Sequence, residues 1–180
     1  MMATSSGKAE VEKTPGDGAM RALRAQQINV AFAQVVTLMM RSQRFRHTFL
    51  AELEWLVAPA VATGQFLITE VKSAEAGFPA PVAAVLWASV SEAVDARLTA
   101  SGGKPKLKPG EWVSGGIPWL IDAIGEPQAA GSLIKKLAEE RFAQVGLKSV
   151  ERQPDGKMLV RILGNPNSGK GPNSDNAKQN

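Results

Sequence analysis

Apolar residues recur at helical spacing early in the chain. Ile28, Phe32, Val35, Val36 and Met39 fall on one face at intervals of three, four and seven, which predicts a helix over about 22–41. A second stripe of Phe49, Leu50, Leu53, Leu56 and Val57 predicts another helix, with Ser42 able to cap it and Pro59 marking its end. The stretch "HTFLAELEW" also allows a start at Thr48, with Thr48 as cap and Glu52 in the first turns. The period then changes. "QFLITEV" reads as a strand with mixed alternation, and "PVAAVLWASV" as a strand buried on both faces. Ser91 caps a short helix, "EAVDARLTA", closed by Gly102 and Gly103. "KPKLKPGEW" is a loop and "IPWLIDAI" another buried strand. "AAGSLIKKLAEERF" is amphipathic, with Leu133, Ile134 and Leu137 inward. "GLKSVERQPDGKMLVRIL" reads as two strands joined by a Pro-Asp-Gly turn. Helices followed by strands interleaved with short helices predict an α/β (α+β) layered domain.

The ends lack this patterning. Residues 1–20 and 164–180 hold few bulky apolar side chains, too few to offset the entropy of ordering, and are expected to be disordered tails. The folded unit is expected over 21–163. A length of 180 residues, 44% of them hydrophobic, suits one domain. Cysteine is absent, which excludes disulfides, thiolate zinc sites and an acyl-cysteine intermediate, and suits a reducing cytoplasm. The first residues do not read as a secretory signal, and no apolar run reaches the ~18 residues of a transmembrane segment. The formal charge of +4 is modest. Without aromatic-basic interleaving or a binding motif it does not indicate nucleic acid, and an acidic protein partner is equally compatible.

Few residues offer chemistry. "GNPNSGKG" fits a phosphate-loop pattern, but Gly171 and Pro172 follow where Ser or Thr and a helix are needed, so it reads as flexible tail. Asp122 interrupts the apolar run Ile117–Ile124. An ionised carboxylate there is costly without partners. It is either a functional acid or histidine-orienting group, whose pKa burial raises unless a cation counters it, or a structural residue that is salt-bridged or sits at the strand's exposed end. His47 is the sole histidine, so a His-rich metal site is excluded, and no acidic cluster replaces one. Ser42 is most simply a cap. A hydrolase built from Ser42, His47 and Asp122 lacks a supporting G-x-S-x-G elbow.

Three stretches carry more. "RSQRFRHTFLAELEWLVAPAVATGQFLI", "PVAAVLWASVSEAVDARL" and "LKPGEWVSGGIPWLIDAIGEP" together resemble the RTX-toxin-activating lysine acyltransferases, in the family's order and spacing, across roughly Ala31 to Leu163. The most specific pieces are the "LWA-x-(V/L)-S" junction and the "W-x-S-G-x-x-x-W-(L/F)-(I/V)-D" segment. The resemblance implies a GCN5-related N-acyltransferase-like domain, a mixed sheet flanked by helices. It implies a cytoplasmic, often homodimeric enzyme with no cofactor. Such enzymes take a fatty acyl chain from acyl-acyl-carrier protein and place it on internal lysines of a protoxin.

In the family the catalytic pair is a His in an S-P-x-H segment and an Asp in a W-(I/V/L)-D segment. By resemblance the Asp falls on Asp122 and the Ser on Ser42, while the His falls on Phe45 and the Pro on Gln43. Gly116 stands where the family often has Asp, and "IGEP" replaces "APFG". Phe45 matters most, because free lysine has a pKa of about 10.4 and needs a base that phenylalanine cannot supply. In one continuous helix positions 45 and 47 lie ~200° apart, so His47 replaces the lost imidazole only if the segment is a loop or the helix starts later.

Three readings follow. The first is an active lysine acyltransferase, with His47 as general base, Asp122 orienting it and backbone amides holding the oxyanion. Arg41, Arg44 and Arg46 would then receive the acidic carrier protein, or else form a solvated helix end. The second is a non-catalytic member that binds an acyl carrier or a protein partner. The third is a small-molecule transferase using acyl-CoA, against which stands the lack of a pyrophosphate loop opening a helix.

Overall fold

Proline at a first helical position is pre-organised for the helix, and an acidic residue in the first turn favours its dipole. Both occur at the start of helix α1 (Pro15–Arg41), which has Asp17 in that turn. The computed structural model describes residues 15–72, 77, 79–102 and 106–164. The two expected tails, outside 15–20 and Gly164, and nearly all of "GNPNSGKG" lie outside the described residues. Helix α1 therefore starts seven residues before the predicted start at 22, inside the expected tail. Residues 17–27 are exposed and carry no apolar stripe, so periodicity leaves no trace of the helix there. Burial comes later, at Ala31, Val35, Leu38 and Met39.

After α1 the chain makes a 3-10 turn at Gln43–Phe45, then helices α2 (Leu50–Leu56) and α3 (Ala58–Thr63). The single helix expected from Ser42 is thus three pieces. Ser42 opens the 3-10 turn but its side chain makes no capping bond. Helix α2 is capped at Phe49, whose amide donates to the Glu52 carboxylate at 3.1 Å. Thr48 is not the cap. Pro59 does not end a helix; it stands in the first turn of α3, after a break at Val57.

Strands β1 (Phe66–Lys72) and β2 (Pro79–Val90), helix α4 (Glu92–Ala100), strand β3 (Ile117–Gly125), helix α5 (Pro127–Lys136) and strands β4 (Leu147–Arg152) and β5 (Met158–Leu163) complete the order. Ser91 caps α4, accepting from the Val94 amide, as expected. The five strands form one open mixed sheet in the order β1-β2-β3-β4-β5. Strands β3 and β4 are parallel, joined by the crossover through α5, and the other neighbours are antiparallel. This is the α/β layered architecture the sequence predicts.

Strand β2 organises both layers. Ala84, Leu86, Ala88 and Val90 face a core shared with Val35, Val57, Leu98 and Trp112. Val85 and Trp87 face a second core with Leu137, Ala138 and Leu147. The continuous apolar run therefore reflects two covered faces. Across the sheet, Asp95 of α4 accepts from the Trp119 indole at 2.7 Å and from Lys148 Nζ at 2.7 and 2.8 Å. That cluster ties α4 to β3 and β4.

Candidate functional site

A strand alternates its faces residue by residue, and an inserted residue breaks the alternation. In β3 the register moves from Trp87↔Leu120 to Leu86↔Asp122, so Ile121 is the extra residue. Strict alternation from Trp119 would send Ile121 toward the helices α1–α4 and Asp122 toward α5. The bulge instead brings both to the same side, where Ile121 and Asp122 line one cavity. Bulges next to active sites re-aim side chains in this way.

The cavity holds about 350 Å³, within the ~300–1,000 Å³ of small-ligand sites. Arg44, Phe45 and Thr48 from the turn line it, with Glu52, Trp55 and Leu56 from α2. Leu98, Leu107 and Trp112 close it. Trp112 is fully buried in a loop held against β2, where its carbonyl accepts from the Ser89 amide at 2.8 Å. Trp55 and Trp112 each carry a buried indole N–H that no acceptor reaches among the described residues.

Arg44 is the partner of Asp122. Its guanidinium donates to and ion-pairs with Oδ1 of Asp122, which also accepts from the Ala123 amide at 2.7 Å. The Asp122 side chain is 13% exposed and that of Arg44 58%. Burial pushes the Asp122 carboxyl above its ordinary range, and Arg44 and the Ala123 amide only partly oppose this. Arg44 also lies over the Phe45 ring, 4.3 Å from its centroid. Its terminal charge therefore sits at the cavity wall.

His47 stands elsewhere. It is exposed, does not line this cavity, and no hydrogen bond or ion pair joins it to Asp122 among the described residues. The turn at 43–45 does break the helix, as the imidazole's return required, yet the carboxylate is taken by Arg44. Ser42 is also apart from Asp122, lining a separate cavity with Arg41, Gly125 and Glu126. Sequence reasoning took Arg44 only as part of a basic surface. The available signal was Asp122 itself, since a carboxylate in an apolar run calls for a cation. Glu52 was read only for its place in a first turn, Trp55 carried no signal of its own, and Trp112 entered only as the first residue of the W-x-S-G motif, because long-range packing alone gathers them.

The cavity thus sets a buried carboxylate and a guanidinium beside tryptophan- and leucine-lined walls on a mixed α/β sheet. A sequence model of the RTX toxin acyltransferase family matches residues 24–164, and the chain belongs to that acyltransferase family. No curated protein matches the chain significantly. Among the described residues no helix is long and apolar enough to cross a membrane.

Proposed function

We propose that the chain transfers a fatty acyl group from acyl-acyl-carrier protein to lysine side chains of an RTX-type protoxin, in the cytoplasm. The observation that carries this reading is the carboxylate of Asp122, buried with a guanidinium partner at the wall of a cavity. Aminolysis of a thioester needs a neutral amine. Removal from bulk water disfavours the ammonium and the carboxylate alike, so their proton affinities converge. Asp122 accepts the ammonium proton and the lysine nitrogen attacks the thioester carbon. The C–N bond forms, the C–S bond breaks, the second nitrogen proton goes to the leaving thiolate, and Asp122 passes the first to solvent. Arg44 supplies positive charge for the developing oxyanion. Arg41 and Arg46, both exposed, extend the positive surface toward an acidic carrier.

This scheme moves the base from His47 to Asp122. A second reading, a binding member without turnover, is favoured by Phe45 at the place of the family's histidine and by the exposed His47. The test is incubation with acyl-carrier protein bearing a labelled palmitoyl chain and an RTX-type protoxin fragment. Label transfer by the wild type and by His47→Ala, with loss in Asp122→Asn, supports the proposal. A loss of transfer in His47→Ala returns the base to the imidazole. Carrier binding with no transfer by any protein supports the second reading.

A further inference from the structure

A primary amine already stands beside two residues that line this cavity. Lys106 Nζ lies 4.8 Å from the centroid of the Trp55 ring and 3.8 Å from the Glu52 carboxylate. Both partners line the cavity that holds Asp122, as does Leu107, the next residue, whose buried side chain anchors the lysine's backbone there. A ring face and a carboxylate are the two groups that recognise an ammonium ion at close range. Glu52 is held by its own capping bond to the Phe49 amide, so its carboxylate is positioned without any ligand. The Lys106 side chain is 62% exposed and is free to be displaced.

We infer that Glu52 and Trp55 form the subsite for the acceptor ammonium, that Lys106 fills it in the free chain, and that Lys106 is acylated in cis when a loaded donor arrives without an acceptor. This rests on the acyltransferase reading and adds to it where the acceptor binds. The step balances as in transfer to a protein acceptor. Lys106 gives up one ammonium proton to the base and thence to solvent, its nitrogen bonds to the thioester carbon, the C–S bond breaks, and the carrier's thiol leaves with the second nitrogen proton. The product is an amide, uncharged, so Lys106 loses both its attraction to Glu52 and its contact with the ring. An acceptor lysine from a protoxin competes for the same two groups. The chain's own amine thereby sets a threshold that an acceptor must exceed.

The experiment uses the full chain with palmitoyl-acyl-carrier protein and no acceptor, read by peptide mass spectrometry. The expected result is acylation at Lys106 at least about tenfold faster than at any other lysine, as proximity dictates, with a rate independent of protein concentration. Lys106→Arg removes the adduct while keeping the positive charge. Glu52→Gln, which retains an acceptor for the Phe49 amide, and Trp55→Leu each slow Lys106 acylation. In reactions with a protoxin fragment, Glu52→Gln raises KM for that acceptor more than it lowers kcat. Adducts spread over exposed lysines without preference overturn the inference, as does labelling of Lys106 at the wild-type rate in Asp122→Asn, which marks an uncatalysed reaction. A labelled protoxin with Lys106 untouched overturns it and spares the acyltransferase reading. Label on neither refutes both.

Discussion

Replacing Asp122 by Asn removes one charge and little else. The asparagine oxygen still accepts from the Ala123 amide, and Arg44, 58% exposed, is left to water. Because an exposed partner is screened, the change in unfolding free energy stays within about 1 kcal/mol. The chemical cost is larger. An acceptor lysine of pKa about 10.4 is neutral in roughly one molecule in a thousand at pH 7.4, so a base can contribute up to about 10³. A positioned base contributes at least about 10², so kcat/KM should fall by about 10²–10³, or ~3–4 kcal/mol of transition-state free energy. The deficit must shrink as the solvent does the deprotonation. At pH 9.5 roughly one lysine in nine is already neutral, and the variant should lie within about tenfold of wild type. Single-turnover transfer from palmitoyl-acyl-carrier protein, followed from pH 7 to about 9.5 and corrected for thioester hydrolysis, measures this. A variant within about threefold of wild type at pH 7.4, or a deficit that does not change with pH, refutes Asp122 as the base.

Three further predictions concern stability. Burial raises the Asp122 carboxyl, so the folded chain holds that proton more tightly than the unfolded one; the stability this lends is present below the ordinary value of 3.8 and is lost as pH rises through the raised value. Thermal unfolding across that range should show Asp122→Asn gaining on wild type as pH rises, and the opposite trend would mean that the Arg44 pair outweighs burial. Gly125 has φ of 101°, and a Cβ there would lie 2.2 Å from the Val82 carbonyl oxygen, whereas Gly64 at φ of 73° has open space. Gly64→Ala should cost about 1–2 kcal/mol and Gly125→Ala more than ~3 kcal/mol in urea unfolding, and equal costs would refute the packing argument. Asp95→Ala leaves the Trp119 indole without its acceptor and Lys148 without its charge partner, a loss of about 2–4 kcal/mol by chemical denaturation, with a change under ~0.5 kcal/mol counting against the cluster.

Local chemistry was legible wherever a short stretch carried its own cause. Ser91 bonds the Val94 amide within one turn, so the start of α4 could be read directly. The Pro-Asp-Gly turn places Gly156 at φ of 83°, and the β4–β5 hairpin follows. The run 81–90 declared a strand covered on both sides, and the strand is covered so. Where two local causes competed, the reading failed. Ser42 is a good cap by type, yet α2 begins eight residues later, because Glu52 reaches the Phe49 amide and Thr48 donates back to the Phe45 carbonyl at 3.0 Å.

Periodicity and composition were enough for the layered class and most of the succession of elements, and the quoted motifs for the resemblance to an acyltransferase family, since each depends on neighbours within a few turns of chain. The orientation and partnership of Asp122 were not available at that range. One inserted residue at Ile121 shifts the pairing with β2 and thereby the side the carboxylate faces, and pairing exists only once strands meet. Arg44, 78 positions away along the chain, becomes its counter-ion because a turn after α1 brings it over β3. Charge compensation inside an apolar wall is a demand that a sequence can announce, but which cation answers it is chosen by packing.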